Sequence, residues 1–117
     1  MILLIGVEVD SVIWYKILWL YSIMGDYKIK QYSYDRAKEL NVKIKPSKHK
    51  LKKIDVYNIK DVFIVSIGAN GYKDYPTYIE ERGKEYADVR RKLYKQRHEK
   101  DRHILGSAGY FSDKLLW

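Results

Sequence analysis

The spacing of apolar positions changes twice after residue 24, from helical to extended and back to helical. In Ser33–Asn41, "SYDRAKELN", the pattern predicts a short helix. Ser33 is placed as N-cap, Asp35 lies in the first turn where the helix dipole favours an anion, and Ala37 and Leu40 face inward. Asn41 is the expected terminator. "VKIKPSKHKLKK" then reads as a basic loop around Pro46. "KIDVYN" and "VFIVSIGA" alternate or run apolar with β-branched residues, and the turn-prone "NIKD" separates them. That is a β-hairpin signal. "GANGYKDYP" follows as a loop, with Gly68 and Gly71 free to take positive φ and Pro76 stopping any strand.

Residues 80–102, "EERGKEYADVRRKLYKQRHEKDR", carry the strongest helical pattern. Tyr86, Val89, Leu93 and the stem of Arg97 fall on one narrow stripe. Gly83 weakens the first turn, so the helix is expected to begin near Lys84. In the closing "LGSAGYFSDKLLW", Ser107 caps a last helix with Ala108, Phe111 and Leu115 on one face. Leu116 and Trp117 lie beside them, and the stripe of the basic helix is the expected receiver of this cluster. The fold class is therefore α+β: a short N-terminal helix, a β-hairpin or small antiparallel sheet, a long basic helix and a C-terminal docking helix.

The first part of the chain reads differently. Residues 1–24 are almost wholly apolar, but Glu8, Asp10 and Lys16 interrupt them. A spanning helix wants about twenty apolar residues with few charges, and a secretory signal wants a basic leading end. The segment meets neither requirement well. Residues 1–23 are expected to be a hydrophobic extension or anchor, with membrane contact as one use. Residues 24–117 are expected to form a small basic domain.

Charge sharpens the picture. Lys and Arg number 23 against 15 acidic residues, a net charge of +8, which favours an anionic partner. No cysteine is present, so disulfides, thiolate catalysis and cysteine-bound zinc are excluded. Twelve Tyr stand against two Phe and three Trp, and surplus Tyr beside surplus Arg is common at binding surfaces. The densest charge lies in "RRKLYKQRHEKDRH", Arg90–His103. There Arg91, Lys95 and His98 share one helical ridge, while Arg90, Arg97 and Asp101 share another. A helix reading a DNA groove would gather its Arg on one face among Asn or Gln readers, and only Gln96 is available. Phosphate contact without sequence reading stays open. His98 and His103 are spaced wrongly for a helical metal site. Asp55, Asp61, Asp74, Glu80 and Asp101 form no catalytic motif. The expectation is a non-enzyme with no metal and no cofactor. Arg90, Arg91, Lys95, Tyr72 and Tyr75 are the candidate partner- or nucleic-acid-binding residues. Arg97, His98, Tyr110, Phe111, Leu115, Leu116 and Trp117 are assigned to a structural cluster, with an Arg stacked on Trp117 or Tyr110.

Several motifs in order carry a resemblance. Gly68, Ala69, Gly71, Tyr72, Asp74 and Tyr75 form Gly-Ala-x-Gly-Tyr-x-Asp-Tyr, and Tyr94, Arg97 and His98 form Tyr-x-x-Arg-His. Ala108 and Gly109 precede an aromatic, and Leu115, Leu116 and Trp117 close the chain. From about Tyr34 onward the chain resembles a family of small basic proteins encoded by nucleocytoplasmic large DNA viruses of eukaryotes. The resemblance implies a virion setting and brings no catalytic residues with it. The resulting expectation is a virion-associated structural protein, a minor capsid or core component, present in the host cytoplasm during assembly. It would contact viral capsid or core proteins through basic and Tyr-rich surfaces. The alternative is a non-sequence-specific DNA-binding or packaging protein.

Overall fold

Asn41, in the left-handed conformation at φ 59° and ψ 44°, ends the first helix and turns the chain into the sheet. The structure, a computed structural model, describes residues 27–117. The expected extension at residues 1–23 lies outside the described residues.

Helix α1 spans Gln31–Leu40, and Asn41 closes it as predicted. Its start differs from the expectation. Ser33 is not the N-cap but sits inside the helix, fully buried, where its hydroxyl donates to the Leu115 carbonyl at 2.6 Å. A capping residue in sequence terms is here a tertiary hydrogen bond that ties the first helix to the last.

Strands β1 (Lys43–Pro46), β2 (Lys52–Tyr57) and β3 (Phe63–Ala69) form one antiparallel sheet in the order β1-β2-β3. The hairpin is β2–β3, with Ile54 opposite Ile67 and Val56 opposite Val65. Strand β1 corrects the reading of "VKIKPSKHKLKK" as a loop throughout. Ile44 pairs with Val56 and is buried, and Pro46 is tolerated because β1 is an edge strand that need not donate on both sides. Two lysines and a proline around one isoleucine hide the strand from periodicity.

The helix expected near residues 80–102 begins at Lys84, as Gly83 predicts, and a separate, unpredicted helix precedes it. Helix α2 spans Tyr75–Arg82 and α3 spans Lys84–Arg97, broken at Gly83 with φ 88°. Asp74 caps α2 by accepting from the Thr77 N–H at 3.1 Å, and Pro76 sits in the first turn, where its missing N–H costs nothing. The predicted α3 stripe does not face inward: Val89 is 57% and Leu93 39% exposed. Ala87 and Tyr94 are the buried positions, because Arg and Tyr stems, longer than Val or Leu, cover the seam between α2, α3 and the chain end.

Helix α4 spans Ala108–Leu116, and Ser107 caps it as predicted by accepting from the Tyr110 N–H at 3.1 Å. Phe111, Leu115 and Leu116 are buried with Ile29, Ala37, Ile44, Ile54, Val56 and Ile67 in one core between sheet, α1 and α4. No helix among the described residues is long and apolar enough to cross a membrane.

Gly68 marks the tightest approach in this core. It has φ 78°, and an added Cβ would come within 2.8 Å of Leu116 Cδ1 and 3.1 Å of Lys53 Cδ. Gly68→Ala combines unfavourable backbone with overpacking, so a loss of roughly 1–3 kcal/mol is expected in denaturant unfolding. Gly71→Ala, with positive φ but nothing within 4 Å of its Cβ, should cost less.

Candidate functional site

A buried ion pair lines a cleft formed by β2, α2, α3 and the chain end. Lys53 Nζ lies 2.8 Å from Asp74 Oδ2, and both side chains are almost fully buried. Lys53 reaches Asp74 from the start of β2, and Asp74 is held in place as the cap of α2. The Tyr27 hydroxyl donates to the same carboxylate oxygen at 2.7 Å, and Lys53 Nζ also donates to the Tyr72 carbonyl. Burial pushes the Asp74 carboxyl up, but the Lys53 charge and hydrogen bonds from Lys53, Thr77 and Tyr27 outweigh it and hold it below the usual range. Burial, together with the neighbouring Asp74 charge, pushes the Tyr27 hydroxyl up, so it stays protonated as a donor.

Aromatic rings build the opposite wall. Trp117 stacks on Tyr94 with centroids 4.3 Å apart and planes only 8° from parallel. His98 stacks on Tyr94 as well, at 4.3 Å and 26°. Tyr78 of α2 lies 6.2 Å from the Trp117 ring. Burial, then the charges of Asp113 and Asp101, pushes the Tyr94 hydroxyl up to about 12. The expected stacking of an Arg on Trp117 is replaced by this ring stack, and Tyr110 receives Lys114 at 5.8 Å. The Arg side chains go to other rings: Arg90 over Tyr78 at 5.4 Å, Arg91 over Tyr75 at 3.9 Å and Arg82 over Tyr86 at 4.2 Å. A planar cation on a Tyr face covers the seam while keeping its charge near water.

Between these walls lies a cleft of about 330 Å³. Of the residues that carried the family resemblance, Gly68, Ala69, Tyr72, Asp74, Tyr94, Arg97, His98, Leu116 and Trp117 line it. Lys52, Lys53, Lys73 and Arg90 line it too, so its basic groups outnumber the one carboxylate side chain. Lys53 is neutralised by Asp74, and Lys73 pairs with Glu81. Lys52 and Arg97 make no ion pair among the described residues, and Arg90 Nε is buried without a hydrogen-bond partner among them.

The candidate binding residues thus divide. Tyr72, 75% exposed, and Arg90 line the cleft. Tyr75 is buried beneath Arg91 and donates to Asp88 at 2.7 Å. Arg91 lies near Asp88, and Lys95 pairs with the buried Asp113 at 2.8 Å. Arg102 also approaches Asp113, at 3.6 Å, and binds Glu99 at 2.8 Å. Arg91 and Lys95, exposed cations in the sequence reading, are therefore already engaged by acidic neighbours. Of the structural cluster, Phe111, Leu115 and Leu116 enter the core, while Arg97 and His98 line the cleft with Trp117.

Lys53, Tyr78 and Lys52 were not singled out by sequence reasoning. The available signal was the pair of charges inside the strand "KKIDVY", since a charge in a buried strand demands a partner. The carboxylates are dispersed: Asp55 accepts from the Ser47 and Ser66 hydroxyls, Asp61 pairs with Lys43, and Glu80 pairs with Lys30. Among the described residues no group of His and acidic side chains could hold a metal ion.

A second surface lies at the far end of the β2–β3 hairpin. Ile59, Val62 and Phe63 are each more than half exposed, and Ile64 is 37% exposed. The turn beneath them is well ordered by hydrogen bonds: Asn58 Oδ1 accepts from the Lys60 and Val62 N–H groups at 2.8 and 3.0 Å. Lys43 pairs with Asp61 across the turn, and Lys45 lies 4.9 Å from the Tyr57 ring, which in turn contacts Phe63 at 5.7 Å.

Comparisons with family models, curated proteins and solved structures gave no match. The viral resemblance therefore rests on the motif residues named above.

Proposed function

We propose that this chain is a non-enzymatic structural component of a large DNA virus particle. In this reading it is a minor capsid or core protein that docks through the β2–β3 tip onto an acidic capsid or core partner. The observation that carries the reading is the tip itself. Ile59, Val62, Phe63 and Ile64 stand exposed on a turn braced by Asn58, with Lys43, Lys45 and Lys60 around them. Apolar side chains held rigidly in water and rimmed by charge mark an interaction surface, since ordering them beforehand reduces the entropy lost on binding. Lys43 is offset by Asp61, and the remaining Lys45 and Lys60 of the rim favour an acidic counterpart and raise the encounter rate. Non-sequence-specific DNA binding by Arg90, Arg91 and Lys95 is the lesser reading, because Arg91 and Lys95 already face Asp88 and Asp113.

The test is a paired substitution, Val62→Glu with Phe63→Glu, in the protein expressed during infection. The side chains are exposed, so thermal unfolding should shift by no more than a few degrees. Incorporation into purified particles, measured by quantitative proteomics, should fall at least about tenfold, as for loss of an interface hot spot. Normal incorporation of the folded variant would remove the tip from the interface. Absence of the unaltered protein from particles would remove the virion reading itself.

A further inference from the structure

We infer that the cleft between β2, α2, α3 and the chain end is a binding site for a nucleoside phosphate, presented as a free nucleotide or as a unit of a single strand. This goes beyond the docking reading and uses none of the residues of the hairpin tip.

Three features converge in one small volume. The first is uncompensated positive charge. Lys52 from β2 and Arg90 and Arg97 from α3 all line the cleft, and neither Lys52 nor Arg97 has an ion-pair partner among the described residues. Arg90 Nε is a buried donor with nothing to donate to among them. A buried donor of this kind is normally satisfied, and a ligand oxygen is one way to satisfy it. The second feature is ring surface. Tyr72 stands 75% exposed at the cleft and offers its ring, whereas Tyr94 is already covered by Trp117 and His98 and serves as the wall behind it. The third is size. A cleft of about 330 Å³ lies at the small end of ligand cavities and suits one nucleotide unit.

Charge and ring surface together choose the ligand class. A terminal phosphate approaches two negative charges, and a strand's phosphodiester, singly charged like a carboxylate, comes with a base beside it that a carboxylate lacks. Exposed Tyr beside Arg and Lys is the arrangement that stacks a base and holds its phosphate. A duplex keeps its bases inside the helix and would offer this cleft phosphates alone. The buried Lys53–Asp74 pair contributes rigidity rather than charge, because its two members cancel. His98 lines the cleft too, with its Nδ1 3.4 Å from an Asp101 oxygen.

The full chain should be titrated at low ionic strength with adenosine 5′-monophosphate, a ten-residue thymidine oligonucleotide, inorganic phosphate, a blunt duplex and a poly-glutamate peptide. Calorimetry would give the affinities, and backbone amide shifts would locate the site. The mononucleotide should bind at least about tenfold more tightly than inorganic phosphate, the difference being the stacked base. Arg97→Glu and Tyr72→Ala, both at exposed positions, should each weaken it at least about fivefold with unfolding temperature unchanged. Equal affinity per site for mononucleotide and oligonucleotide would assign a free nucleotide, and tighter oligonucleotide binding would assign a strand. The inference is overturned if the mononucleotide does not bind, or if both substitutions leave its affinity unchanged. It is also overturned if the duplex outcompetes the oligonucleotide or the acidic peptide displaces the nucleotide at lower concentration. None of these outcomes touches particle incorporation, so failure here and failure of the docking reading are separable.

Discussion

Asp74→Ala is expected to lower the unfolding free energy by about 3–5 kcal/mol, because it leaves Lys53 charged, buried and alone. The same change removes the cap of α2 and the acceptor of the Tyr27 hydroxyl. Against a total of about 5–15 kcal/mol for a native domain, such a loss is enough to unfold much of the protein at physiological temperature. Lys53→Met should cost a similar amount by stranding the carboxylate. The double variant should lose less than the sum, since the two changes remove one shared interaction. Chemical denaturation of all four proteins closes the cycle, and simple additivity would show that the pair is not coupled.

The same pair sets a pH dependence. Asp74 titrates below the ordinary carboxylate range in the folded protein. Its unfolded-state value is about 3.9. A group with a depressed folded pKa contributes stability that is fully present above the unfolded value and is lost as pH falls through the folded value. Stability should therefore be flat on Asp74's account above about pH 5 and fall progressively below about pH 4. In Lys53→Met only the Thr77 and Tyr27 hydrogen bonds still oppose the effect of burial, so the acid limb should move to higher pH. An acid limb unmoved by Lys53→Met would assign acid unfolding to other carboxylates, of which Asp55, lowered by its Ser47 and Ser66 hydrogen bonds against the effect of burial, is the foremost.

Deleting Leu115–Trp117 should have an effect at least as large. Leu115 is fully buried and Leu116 nearly so, within the core shared by sheet, α1 and α4. Truncating a buried Leu to Ala alone costs about 2–5 kcal/mol. The deletion also removes the Leu115 carbonyl that holds Ser33 and the ring that stacks on Tyr94. The expected product is a chain without a cooperative thermal transition. Trp117→Phe, which keeps a ring on Tyr94, should retain the transition with a lowered midpoint. A fully stable truncated protein would show that α1 and the sheet hold the core without α4.

Local pattern was enough for most of the architecture. The alternating or apolar β-branched runs "KIDVYN" and "VFIVSIGA" signal a hairpin, and Ile54, Val56 and Ile67 occupy the core accordingly. Asn41, Gly83 and Ser107 act where their backbone or hydroxyl chemistry predicts, because capping and positive φ are decided within a few residues. The α+β class followed from these. What periodicity missed depended on partners distant in sequence. Strand β1 exists because Ile44 finds Val56 across the sheet, not because "KIKP" favours extension. Ser33 is a tertiary donor to Leu115, 82 residues away, and not a cap. Above all, the basic helix was one run of cations in sequence. Arg91 meets Asp88 one turn back on its own helix, but tertiary contacts pair Lys95 with the distant Asp113 and bring Arg90 and Arg97 beside Lys52, Tyr72 and Trp117 at one cleft. Sequence gave the charge, but which of it remains available to a partner depends on where the carboxylates and rings fold back, and only the tertiary structure decides that.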